Sequence, residues 1–166
     1  MTVRPILHWP DLRLAQSCAP ASGAEGLEAL IEDLFETMYA APGRGLAAPQ
    51  IGVMLRVFVM DAGWRTGAPR PKAFVDPRVL WASTDRAPGQ EACLSIPGIS
   101  ATVLRPGRIG LAAVDATGSE VMHLLDGAEA RCAQHELDHL NGIVTFDRVD
   151  PAARRTLVAA YAGGAR

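Results

Sequence analysis

Gln134-His135-Glu136-Leu137-Asp138-His139-Leu140-Asn141-Gly142 is the stretch around which the rest of this chain is arranged. Two histidines four residues apart lie one above the other on a helix face, separated by a rise of ~6 Å. At that spacing two imidazoles converge on one divalent metal ion. Glu136 stands one step round the helix from His135. It can take a proton from a metal-bound water, yet is offset enough not to be the third ligand. An amphipathic helix with two structural histidines has the same letters, so the pattern needs support from elsewhere in the chain.

The helix carrying it is expected from about 128 to 140, with Asn141 and Gly142 as its C-terminal stop. Beyond it, 144–146 reads as a short strand. Asp150 and Pro151 form an N-cap and first position for a last helix reaching about Tyr161, with Gly163-Gly164 frayed. Residues 1–24 read as an irregular arm with turn signals at Pro10-Asp11 and Pro20. Ser22 and Glu25 have capping-box spacing, and Leu27, Leu30, Ile31, Leu34, Phe35 and Met38 then follow on one helical face until Pro42-Gly43. Residues 43–50 read as a helix-to-strand loop whose two glycines point to unusual dihedrals or a close approach. Strands are expected at 55–60, 73–83, 99–104, 108–114 and 120–124, with a Gly/Pro-rich turn region at 62–71, a hairpin turn at 115–119, and Pro77 marking an edge or a break. Strands grouped between helices, without regular βαβ alternation, argue for α+β: a mostly antiparallel sheet packed around the central HExxH helix, with an N-terminal and a C-terminal helix.

Two imidazoles need a third protein ligand, since catalytic sites of this kind usually have three and leave one position for water. Cys18, Cys93, Cys132, His8 and His123 are available. Cys132 shares the stripe of His135, but it is seven residues from His139, a rise of ~10.5 Å that bonds of ~2.0–2.3 Å cannot easily close. It reads better as a small buried apolar residue. Cys93 lies between Pro88-Gly89 and Pro97-Gly98, in a shaped loop or strand end that can bring a thiolate to a helix face from outside. Alone, that segment would read as a buried structural cysteine.

Composition narrows the field. A length of 166 residues suits one domain. A net charge of −2 offers nothing to DNA or an anionic membrane through bulk electrostatics. No apolar run approaches the ~20 residues that span a bilayer. The first residues lack a signal-peptide layout, and three scattered cysteines make no disulfide framework, so a reducing, cytoplasmic setting is expected.

Three segments together are far more specific than HExxH alone. Gly43-Arg44-Gly45-Leu46-Ala47-Ala48-Pro49-Gln50, Glu91-Ala92-Cys93-Leu94-Ser95 and Gln134 to Gly142 resemble, in order and spacing, the three motifs of the peptide deformylases. The likeness extends through most of the chain, including Ile6-Leu7 and Pro10-Asp11. What the resemblance implies is a single catalytic domain over 1–166 that removes the N-terminal formyl group from nascent peptides beginning with formyl-methionine. It implies one divalent metal held by Cys93, His135 and His139, natively Fe²⁺, with Zn²⁺, Ni²⁺ or Co²⁺ able to take its place. It implies Glu136 as general base for attack by metal-bound hydroxide, and the Gln50 side chain and Leu94 backbone N–H as oxyanion contacts. Gly43, Arg44 and Gly45 would border the substrate. A thiolate ligand makes such a site softer and open to oxidation.

The chain departs from the family pattern at Ala92, where Gly is usual, and at Arg44, where an aliphatic residue is usual. Ala92 would be strained if that position needs positive φ, and otherwise narrows the cleft beside Cys93. A guanidinium at 44 disfavours an apolar side chain unless it snorkels to water, and favours a carboxylate. These departures motivate a second reading, a deformylase-like paralogue with altered substrate or weak activity; a non-catalytic metal- or peptide-binding module is a third. A two-His metalloprotease leaves Cys93 and the LAAPQ segment unexplained. Asp138 is expected to pair with Arg131 or Arg105, while Glu129 and Arg131 read as structural. His8 and His123 should be satisfied locally. Trp9, Trp64 and Trp81 read as packing residues. Arg154 and Arg155 offer at most a transient ribosome contact.

Overall fold

Val-Phe-Val-Met at 57–60 is buried at every position, and the alternation of a strand sends successive side chains to opposite faces. Val57 and Val59 pack with Leu34 and Met38 of α1 (Leu27–Ala40). Phe58 and Met60 pack with Ala130, Ala133, Leu137 and Leu140 of α2 (Gly127–Leu140). One strand thus carries a helix on each side. The structure, a computed structural model, describes residues 2–115 and 118–164. Its strands are β1 (Gly45–Ala47), β2 (Val57–Met60), β3 (Lys72–Ala82), β4 (Arg86–Cys93), β5 (Ile96–Pro106), β6 (Arg108–Val114) and β7 (Glu120–Asp126), and α3 (Pro151–Gly164) closes the described chain. A five-stranded antiparallel sheet runs β1-β2-β3-β6-β7, and β4 pairs with β5 in a separate hairpin. This is the expected α+β architecture. A third cluster, with Leu14, Cys93, Ile96, Val144 and Phe146 at its centre, joins the N-terminal arm, the hairpin and α3. Tyr161 there donates to the Trp9 carbonyl at 2.9 Å.

Several local expectations gave way to tertiary structure. Ser22 does not cap α1; its hydroxyl and amide go to the Asp76 carboxylate, and the helix starts after Gly26, whose φ is 73°. The segment around Cys93, read as a shaped loop or strand end, closes a full strand over 86–93. It pairs on one side only, where proline is tolerated. Residues 45–47 are strand rather than loop. The expected strand at 144–146 is instead a 3-10 turn, Thr145–Asp147, in which the Asp147 carboxylate accepts from the Val144 amide at 3.0 Å. α3 continues through Gly164, where fraying was expected. Pro77 marks a break in register: β3 pairs with β2 up to Val75 and with β6 at Val75 and again from Arg78, the register shifting between them, where Asp76 has φ 48°. Strands β6 and β7 pair as a hairpin, but part of its turn, 116–117, lies outside the described residues. Trp81 is half exposed rather than packed away.

Candidate metal centre

α2 divides its faces by the i, i+3, i+4 rule. Ala130, Ala133, Leu137 and Leu140 meet the sheet. Cys132, His135 and Glu136 line a cleft of about 520 Å³, whose opposite wall comes from β1 and the end of β4. The donor atoms of Cys93, His135 and His139 all lie within 4.8 Å of one another. The Cys93 Sγ is 3.2 Å from the His139 Nε2. Ligands sharing one tetrahedral ion at bonds of ~2.0–2.3 Å are separated by roughly 3–4 Å, so one thiol and two imidazoles fit a divalent transition metal here.

The two cleft cysteines differ electrostatically. Burial pushes the Cys93 thiol up, but the facing His139 and His135 imidazoles outweigh it and hold the thiol well below its ordinary range. Burial, with Glu136 adding to it, pushes Cys132 well above that range. Cys93 therefore has the thiolate character of a ligand, and Cys132 behaves as the small apolar residue expected of it. Burial lowers His135, but contact with Cys93 and Glu91 raises it well above an ordinary imidazole.

A set of buried ion pairs orients His135. Its Nδ1 lies 3.1 Å from the Glu91 Oε2, which leaves Nε2 for the cleft. Arg105 donates to both Glu91 oxygens, to Oε1 at 2.7 Å and to Oε2 at 2.8 Å, and Arg131 donates to Oε1 at 2.9 Å. Burial pushes the Glu91 carboxyl up; Arg105 and His135 more than reverse this and hold it ionised far below the usual range. Arg105 also reaches Asp138 at 2.9 Å. Asp138 thus pairs with Arg105 and Arg148, not with Arg131. Glu129 is likewise paired, with Lys72. Such an outer shell fixes ligand orientation and raises ligand basicity.

The proton-handling and oxyanion candidates are equally constrained. Glu136 is almost fully buried, and its Oε2, with the Nδ1 of His139, has no hydrogen-bond partner among the described residues. Burial pushes the Glu136 carboxyl up to about 7. Gly45 permits this placement by close approach rather than by an unusual dihedral. A Cβ there would collide with the Glu136 carboxylate and lie 2.8 Å from the Cys132 sulfur. Gln50 accepts from the Ala47 amide at 2.9 Å through Oε1, which turns its NH₂ toward Ser95 Oγ at 3.1 Å and Cys93 Sγ at 3.8 Å. Leu94 sits in the turn between β4 and β5, its side chain packed near Gly43, and lines the same cleft as Gln50. Ala92 has no positive φ and lies exposed on β4, so its methyl adds to the cleft wall without strain. Arg44 lines the cleft mouth between Gly43 and Gly45.

Two functional neighbours escaped the motif reading. Ser95, fully buried, holds the Gln50 amide, and Glu91 holds His135. The signal for Glu91 is present once the shaped loop or strand end around Cys93 is a strand, because residues 91 and 93 then share a face. His123, by contrast, rests edge-on against Phe74 with centroids 5.0 Å apart, and Trp9 packs on Phe146 and Tyr161, both away from the cleft. Trp64 buttresses the cleft rim by donating to the Gly43 carbonyl at 2.7 Å.

The fold and the cleft define a class: an α+β hydrolase with a thiol and an HExxH helix facing one another across a groove. The chain belongs to the polypeptide deformylase family, whose model matches residues 3–155. The peptide deformylase of Phenylobacterium zucineum is 43% identical over 159 residues, covering 95% of this chain and 94% of the relative. A peptide deformylase-like protein of Brucella melitensis is 40% identical over 162 residues, 97% of each chain. The crystal structure of the Ehrlichia chaffeensis peptide deformylase in complex with actinonin superimposes with a TM-score of 0.92 at 33% identity, covering 100% of this chain and 99% of that one.

Proposed function

We propose that residues 1–166 act as one catalytic unit that hydrolyses the N-terminal formyl amide of nascent peptides, formyl-methionyl peptides in the first instance, releasing formate and a free amine. The observation carrying this reading is the convergence of Cys93, His135 and His139 beside a buried, unpartnered Glu136 carboxylate. Cys93, His135 and His139 would hold a single divalent metal, with Fe²⁺ as the native ion and Zn²⁺, Ni²⁺ or Co²⁺ as substitutes. When bound, it would supply Lewis acidity, polarising water and the formyl oxygen.

The chain's own groups do the rest. Glu136, held against Gly45, takes a proton from the attacking water and delivers it to the departing amine nitrogen. Its raised affinity for protons suits both transfers near neutral pH. As the formyl carbon becomes tetrahedral, charge builds on its oxygen, and the Gln50 NH₂, which faces Cys93, and the Leu94 N–H would be the donors that receive it. Glu91 keeps His135 in the tautomer that offers Nε2. A nascent-peptide substrate places the protein in the cytoplasm, with any ribosome contact transient. Arg154 already pairs with Asp147 at 3.1 Å, and no helix of the described residues is long and apolar enough to cross a membrane.

The test is formate release from formyl-Met-Ala-Ser by protein purified anaerobically and assayed for metal. Glu136→Gln should keep its metal and lose about 10²–10⁴ of kcat. Near-normal turnover in that variant would exclude Glu136 as the base, and no formate from fully metal-loaded wild type would exclude activity on formyl-methionyl peptides. A second reading, a deformylase of altered substrate preference, is favoured by one observation, the guanidinium of Arg44 at the cleft mouth.

A further inference from the structure

The walls of the cleft are unusually cationic for a pocket that would receive a methionine side chain. Arg44, Arg65 and Arg131 line it against two carboxylates, Glu91 and Glu136. Glu91 is already neutralised by Arg105 and Arg131. Arg131 is committed: besides Glu91 it donates to the carbonyls of Val103 and Ala87 at 2.9 and 2.8 Å. It reaches them by folding onto β4 where Gly89 has no side chain; a Cβ at 89 would lie 2.7 Å from its Nε. That position fills with guanidinium a stretch of wall an aliphatic residue could have occupied.

Arg44 and Arg65 are not committed in this way. Arg44 is exposed, and its side chain has no hydrogen bond or ion pair among the described residues. Arg65 has one long contact, 3.5 Å to the Pro42 carbonyl. The backbone that mounts Arg44 is nonetheless rigid. The Arg44 carbonyl accepts from the Asp61 amide at 2.8 Å and lies 3.4 Å from the Cys132 Sγ, while Trp64 holds the neighbouring Gly43 carbonyl. The Arg44 charge acts on the Cys132 thiol, one helical turn from Glu136. A partnerless guanidinium on a fixed strap, beside the point where substrate is cleaved, selects by charge rather than by apolar packing.

Resting on the deformylase reading of the cleft, we propose that Arg44, seconded by Arg65, makes this enzyme select N-formyl peptides whose first residue carries a carboxylate. A formyl-methionyl peptide is then a poorer substrate, because its thioether would have to displace water from a guanidinium with no compensating hydrogen bond.

Equilibrium binding to the metal-loaded Glu136→Gln protein separates this from turnover. The probes are formyl-Glu-Ala-Ser, its neutral isostere formyl-Gln-Ala-Ser, and formyl-Met-Ala-Ser. The glutamyl peptide should bind about tenfold more tightly than either of the others at low salt. The preference should shrink severalfold at about 0.5 M salt. Adding Arg44→Ile should abolish it and Arg44→Lys should retain part of it. Equal binding of the Glu and Gln peptides, tightest binding of the Met peptide, no saturable binding of the Glu peptide, or a preference untouched by Arg44→Ile would each overturn the inference. Formate release by the wild type separates the two levels. Release from all three peptides without binding preference sinks charge selection and leaves the deformylase reading standing. A charge preference in binding with no formate from any peptide supports selection by Arg44 and sinks the activity.

Discussion

Ser95 shows how much a single side chain outside the direct chemistry can matter. Its hydroxyl is the acceptor that, together with the Ala47 amide, aims the Gln50 NH₂ at the cleft. Ser95→Ala should leave Gln50 tethered at one end only. Loss of such positioning should lower kcat by about tenfold while KM stays within about twofold if Gln50 has the proposed oxyanion role, because such a contact matters most in the transition state. Steady-state kinetics on whichever formyl peptide is turned over best would check this, and an unchanged kcat would mean that Ala47 alone suffices. Gly45 makes the same point from the opposite direction. Any side chain there meets Glu136, so Gly45→Ala should cut kcat by an order of magnitude or more with the fold intact, read by kinetics beside circular dichroism.

Among the elements, the β4–β5 hairpin and α2 form the working pair, and Arg105 ties them together. From β5 it binds Glu91 of β4 and Asp138 of α2, all three nearly inaccessible to solvent. A buried ion pair is weak evidence of net stabilisation, but breaking one by removing a partner is costly. Arg105→Met strands two carboxylates that nothing else fully compensates. It should lose roughly 3–5 kcal/mol in urea unfolding and loosen the orientation of His135, seen as weaker metal retention under a chelator. The hairpin is also where reading by local pattern failed most. Pro88 and Gly89 carry turn statistics, but in a two-stranded ribbon the outward edge costs a proline nothing, and Gly89 is required by the arginine lying over it.

For the molecule as a whole, acid should be the sensitive direction. Asp76, at the break in β3, ties down the segment before α1. Burial pushes its carboxyl up, but the Ser22 hydroxyl, the Ala21 and Ser22 amides and Arg56 together hold it below its ordinary value. A carboxyl depressed in the folded state contributes stability above its unfolded value of about 3.9 and loses it as the pH falls through the folded value. The melting temperature should therefore fall steeply below about pH 4. Asp76→Asn should be less stable at neutral pH with a shallower acid slope, by thermal melts from neutral to acid pH. Parallel slopes would assign the acid loss to other carboxylates such as Glu91.

What the sequence determined unaided is what local geometry dictates. Within a helix each residue advances by a constant rise and rotation, so His135, Glu136 and His139 were placed relative to one another by their numbering alone. The same held for the apolar face of α1 and for the stops at Asn141 and Gly142. What only the tertiary structure decided is whatever links distant segments. Cys93 and His139 are 46 residues apart and meet because β4 pairs with β5 and the hairpin docks on α2. The grip of Arg105 on Glu91, the seat of Ser95 under Gln50, the passage of Ser22 to Asp76 and the uncommitted charge of Arg44 have the same origin. No local rule orders such contacts, since partner choice between buried polar groups is settled by which elements pack together and which charges are left unpaired when they do.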